Sequence, residues 1–185
     1  MAKEKYYEIF NELEGYKKGI LIDFNDLSQD QLNFKMKTKN WSLLQIVEHI
    51  ILAETGTINY VNKKLLGKES LKNSGFFSFL RSKTLNYFMN SGIRFKARVE
   101  TTLPAEQPNL KEITLKWDIA RNAIKRLIDA SDETLLQKQI FKHPLAGRIN
   151  GLQMLEFLQI HLKRHFKQIV ELKKHPAFPG NEVAE

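Results

Sequence analysis

Five residues near the C-terminal end of this 185-residue chain could do chemistry together: His161-Leu162-Lys163-Arg164-His165. They lie in a run of helical periodicity from Leu152 to Leu172. Met154, Leu158, His161, His165, Gln168 and Leu172 fall on one seam of it, at spacings of four and three. Side chains four apart on a helix stand one above the other, with Cβ atoms about 6 Å apart. Two imidazoles so placed can grip one metal ion from one side. Neutral imidazole suits zinc, nickel, iron and copper. A catalytic metal typically takes three protein ligands and keeps a fourth position open. The best third ligand is His49, central in another predicted helix and followed on the same face by the small residues Ala53 and Gly56. A His-x-x-x-His spacing by itself more often marks paired core or surface histidines than a metal site. Two imidazoles on a core seam beside Gln168 are harder to read as filler, because a buried imidazole must pair its N–H.

The other two histidines point elsewhere. His143 precedes a proline in a predicted loop, where hydrogen bonding to backbone is the expected role. His175 follows the last turn of a predicted helix, where a cation suits the macrodipole. There is no cysteine, so thiolate ligands and disulfides are excluded, and any thiol chemistry needs a thiol from another molecule. No His-Glu-x-x-His metalloprotease motif occurs, since Leu162 stands where its glutamate would be. Glycine-rich phosphate loops and nucleophile elbows are missing too. So are the Glu-x-x-His pairs of di-iron bundles. A single mononuclear metal follows, with no general base assignable.

The elements that must hold these residues are helical. Ile9, Leu13, Tyr16, Ile20, Phe24 and Leu27 mark a first helix over residues 3–27. Ser42 and Gln45 form a capping box for a second, with a stripe of Leu44, Val47, Ile51, Ile58, Val61 and Leu65 that ends at Gly67. Residues 68–108 form a long crossover, within which Phe76 to Met89 is helix-compatible and Asn90-Ser91-Gly92 is a stop. The third helix spans about Leu110 to Ala130, with Ile113, Trp117, Ala120, Ile124 and Leu127 inward and Arg121, Lys125 and Arg126 on a wet face. Residues 131–150 are a linker, and the fourth helix follows. No strand-period segment competes. The expectation is all-α: one domain over residues 1–185, a four-helix bundle with a long crossover between helices 2 and 3.

The net charge of +8 has a location. Residues 60–98 hold nine basic residues and one acid, a balance equal to that of the whole chain. Phe76, Phe77, Phe79, Tyr87, Phe88 and Phe95 are interleaved among them. Such a segment can meet nucleic acid or an anionic surface. The favoured reading is a solvated rim on an amphipathic connector whose aromatics face the core, because no nucleic-acid motif accompanies the charge. No apolar run reaches the roughly 20 residues of a membrane span, and the N-terminal residues form no apolar signal stretch. A cytoplasmic protein is the default expectation.

Taken together, Trp41-Ser42 with Glu48-His49-Ile50, His143-Pro144-Leu145-Ala146-Gly147-Arg148-Ile149-Asn150-Gly151, and His161-x-x-Arg164-His165-x-x-Gln168-Ile169 resemble the DinB/YfiT-like family of metalloenzymes. The resemblance implies an up-down-down-up bundle. It implies a divalent metal (zinc, nickel, iron or manganese) on His49, His161 and His165. It further implies a thiol-dependent S-transferase using a low-molecular-weight thiol, or a related hydrolase, acting on a small-molecule substrate. Family members often pair, so a homodimer is an expected assembly. Gln168 could orient a ligand or bound water, or be a polar seam residue at a bundle end; Trp41 is expected to anchor a helix start; Arg148 and Arg164 could meet an anionic co-substrate, although surface arginines usually do nothing so specific. Two alternatives stand beside the enzyme. One is a non-enzymatic metal-binding stress-response protein. The other is a basic accessory protein that meets nucleic acid or an anionic surface through residues 60–98.

Overall fold

The computed structural model describes residues 3–91 and 100–181. Its first helix, α1 (Glu4–Asn25), buries Tyr6, Ile9, Phe10, Leu13, Ile20 and Phe24 along one face. The next residues contain a capping box of Ser28 and Gln31 and close into the short helix α2 (Gln29–Asn33). The second capping box, Ser42 with Gln45, starts α3 (Leu43–Leu65) as the sequence predicts. After a 3-10 turn comes α4 (Phe76–Asn90). Asn109 then caps α5 (Leu110–Ala130) by accepting the N–H groups of Lys111 and Glu112.

The stretch expected to be a plain linker is ordered. Asp132 caps the short helix α6 (Glu133–Gln137). An antiparallel hairpin follows, β1 (Phe141–His143) against β2 (Gly147–Ile149), with Phe141 opposite Ile149. Its turn brings Gly147 to φ 68°, where a side chain would be strained. Asn150 and Gln153 cap the last helix, α7 (Gly151–Lys173). A Cβ on Gly151 would sit 3.1 Å from both the Leu136 side chain and its carbonyl, so glycine lets α6 close on the start of α7.

Among the described residues the protein is therefore all-α with one small hairpin. Contacts give the sense of each helix pair. Tyr7 meets Asp129 and Glu14 meets Arg121, so α1 and α5 run oppositely. Glu48 meets Lys116 and Glu54 meets Arg121, so α3 and α5 run together. Tyr16 packs on Phe166 and Asp23 pairs with Lys173, so α1 and α7 also run together. The centre holds Leu13, Phe24, Val47, Ile50, Ile113, Trp117, Ile124 and Leu162. No helix among the described residues is long and apolar enough to cross a membrane.

Two further expectations fail. Arg121 is not on a wet face; it is 2% exposed and gives Glu54 a bidentate pair, Nε to Oε2 and Nη2 to Oε1, both 2.9 Å. It stands four residues after Trp117 and three before Ile124, on the apolar stripe itself, and a buried carboxylate on α3 makes that place tolerable. Nor do the aromatics of the crossover face the core. Phe76, Phe77, Phe79, Leu80, Tyr87 and Phe88 are between 40% and 73% exposed, while Ser78, Ser82, Leu85 and Asn86 are buried. The inward side of α4 makes polar contacts as well as packing Leu85 on the core: the Ser78 hydroxyl lies 2.8 Å from Gln153 Oε1, and Arg81 Nε donates to the Ala146 carbonyl at 2.9 Å. Phe95, Arg94, Lys96 and Arg98 of the same segment, and the expected stop at Gly92, lie outside the described residues.

A candidate metal centre between α3 and α7

Three neighbouring positions on α3 do different work toward one segment of the crossover. Gln45 Nε2 donates to the carbonyls of Ala105 and Glu106 at 2.9 and 3.1 Å. Buried Glu48 accepts the Ala105 N–H at 2.7 Å and pairs with Lys116 at 3.4 Å. His49 Nδ1 lies 2.7 Å from the Thr102 carbonyl oxygen. Positions 45, 48 and 49 share one face of a helix, so α3 straps residues 102–106 down with adjacent side chains. A carbonyl can only accept, so the proton of neutral His49 is on Nδ1 and its Nε2 is left with a lone pair.

On α7, His165 Nδ1 lies 2.9 Å from Gln168 Oε1, which likewise places the proton on Nδ1. His165 Nε2 then faces His161 Nε2 at 3.2 Å. Two nitrogens bound to one tetrahedral zinc at about 2.0–2.1 Å would be about 3.3 Å apart. Among the described residues, His49, His161 and His165 each offer a nitrogen within 4.8 Å of the other two. Their ring centroids are 4.5 to 5.1 Å apart. The donor set fits a divalent metal ion: all three are imidazoles, and two have the second ring nitrogen tied to an oxygen acceptor, the arrangement that fixes a ligating tautomer.

Burial keeps the rings neutral. It pushes His165 down to about 3, helped by the neighbouring His49 and Arg164 and opposed by the bond to Gln168. His161 is driven well below its usual value by burial first, then by His165, His49, His143 and Arg164. His49 is lowered by burial against the opposing pull of the Thr102 carbonyl. Neutral imidazole is the form that ligates. His165 is buried, whereas His49 and His161 are half-buried as whole residues.

The surroundings are aromatic. The Trp41 ring lies 4.7 Å from His49 and 6.4 Å from His165, so the expected helix-start anchor also walls the triad. Phe157 closes on His161 at 5.6 Å. His143 takes the backbone role expected of it, its Nδ1 accepting the N–H groups of Leu145 and Ala146 at 3.1 Å each. Burial lowers it to about 4. His175 accepts the Ala177 N–H in the turn that follows α7. Arg164 Nη1 donates to the Met89 carbonyl at 3.1 Å, tying α7 to the end of α4. Exposed Arg148 is not brought to the triad by any contact of its side chain among the described residues. Sequence reasoning missed Thr102, whose contribution is a backbone carbonyl that no residue type announces. It also missed Glu54, although a glutamate between Ile51 and Ile58 on an apolar stripe was a visible signal. A groove of about 730 Å³ between α1 and α7 is lined by Tyr16, Ile20, Phe166 and Ile169 and includes none of the triad.

A sequence model of the DinB superfamily matches residues 21–169. The chain is 23% identical over 171 residues to the uncharacterized protein YuaE of Bacillus subtilis (strain 168), covering 92% of this chain and 94% of that one. No solved structure matches significantly.

Proposed function

The chain belongs to the DinB superfamily, and we propose that it is a mononuclear divalent-metal enzyme using His49, His161 and His165 as ligands. The observation that carries this reading is the cluster itself: three imidazole nitrogens within 4.8 Å of one another, gathered from α3 and α7. The matched senses of the α1–α5, α3–α5 and α1–α7 contacts support the up-down-down-up arrangement of the bundle. Zinc, nickel, iron and manganese are the candidate ions, and a bound metal supplies Lewis acidity that lowers the pKa of the group it accepts. Thr102 and Gln168 hold two of the imidazoles in the ligating tautomer, and Trp41 and Phe157 wall the site. The reaction proposed is S-transfer from a low-molecular-weight thiol to a small electrophile, with hydrolysis as the close variant. A chain without cysteine must take its thiol from solution.

The deciding measurement is elemental analysis of untagged protein beside a His49→Ala/His161→Ala variant. About one equivalent of a transition metal, lost in the variant, is the expected result. No metal on purification and no tight uptake on titration would overturn the reading. A screen of thiols and electrophiles with the metal restored then separates transfer from hydrolysis.

A further inference from the structure

We propose that the outward face of α4 docks on an anionic lipid surface. Helix α4 is amphipathic in the inverted sense. Its bundle-facing positions are Ser78, Ser82, Leu85 and Asn86, all buried. Its solvent-facing positions are Phe76, Phe77, Leu80, Tyr87 and Phe88, with Phe79 at the flank. The roll of the helix is set by bonds: Ser78 to Gln153 and the Arg148 carbonyl, Arg81 to the Ala146 carbonyl, and Lys83 to Glu156. Turning the aromatics inward would break these and leave the Ala146 and Arg148 carbonyls without their α4 donors. The six exposed side chains present on the order of 600 Å² of apolar surface, the upper end for a monomer.

Charge selects the occupant. The aromatic face sits inside the segment that holds nine basic residues and one acid, and Lys63, Lys68 and Lys72, leading into α4, are all exposed. A twofold pairing of this face with a second copy would bring two such basic segments together. An anionic bilayer instead attracts each nearby Lys or Arg. The chemistry also favours lipid over nucleic acid. The most outward side chains are Phe, Leu and Tyr, the residues of an interfacial helix, while Arg81 and Lys83 of α4 are engaged by carbonyls and by Glu156. At 15 residues α4 is too short to span and would lie along the headgroup boundary. Its C-terminal end is tied through Met89 to Arg164, between the two histidines of α7, so docking would bring the triad near the lipid surface. The proposal stands whether or not the triad holds a metal.

The test is flotation of the full chain with vesicles of phosphatidylcholine alone and with phosphatidylglycerol added. The expected result is binding to the anionic vesicles that weakens with salt and falls at least about tenfold in Phe77→Ser/Leu80→Ser. The second pair, Tyr87→Ser/Phe88→Ser, should act in the same direction, both with unchanged melting temperature. Failure to bind either vesicle would overturn the proposal. So would anionic binding that neither variant changes, which is charge adsorption alone. A lowered melting temperature in both variants would show the face to be covered by the chain itself. A dimer dissolved by the variants, or single-stranded nucleic-acid binding lost in them, each without vesicle binding, would assign the face to that other partner.

Discussion

His49, His161 and His165 illustrate how little of a candidate metal ligand lies in its own side chain. Each imidazole is useful only when neutral and turned the right way, and the turning comes from Thr102 and Gln168. Neutrality comes from burial, with a consequence for metal-free protein. Folded pKa values of about 3 for His165 and about 4 for His143 lie below the ordinary 6.5, so as pH falls the unfolded chain takes up protons first. Their full contribution to stability is therefore present above pH 6.5 and is lost progressively as pH falls toward those folded values. Urea unfolding of the metal-free protein should show stability dropping between about pH 6.5 and 5, before most carboxylates titrate. Each of these two histidines adds up to about 1.4 kcal/mol per pH unit to the slope. The slope should be shallower in His165→Leu; an unchanged slope would mean that this ring does not titrate as described.

At the scale of elements, α3 joins the site to the core. One face holds His49 and the strap onto residues 102–106; farther along, Glu54 accepts from Arg121 and from Trp117 Nε1. A buried ion pair adds little over apolar packing, but removing one member strands the other. Arg121→Ala and Glu54→Ala should each cost about 3–5 kcal/mol in denaturant unfolding. The double variant Glu54→Leu/Arg121→Met should lose much less than the sum. If either single variant unfolds like the parent, the pair does not hold α3 to α5. The same pair shows where periodicity misleads: a stripe analysis assigns charged residues outward by type, and only the facing carboxylate reveals that Arg121 belongs inside.

For the molecule as a whole, the triad is a link between α3 and α7, whose histidines are more than a hundred residues apart in sequence. A metal that binds only the folded protein stabilises it by about 2.7 kcal/mol at a free concentration one hundred times its Kd. Chelating the metal-loaded protein should therefore lower its melting temperature by several degrees, and chelation should leave His161→Ala unmoved. Equal shifts in both would place the metal elsewhere.

By itself the sequence determined the long helices, because apolar periodicity and the Ser42/Gln45 box are local signals carried by residue type. It also determined the three histidines, since an i,i+4 pair on a core seam and a lone central His49 are visible without coordinates. Tertiary structure decided what depends on partners. The Thr102 carbonyl that fixes a tautomer is backbone, the Arg121 pair needs a carboxylate from another helix, and the order in residues 131–150 depends on α6 closing over Gly151. The roll of α4 was decided in the same way. Its sequence offers an aromatic side and a serine side, and the hairpin carbonyls and Gln153 beneath it select the serines.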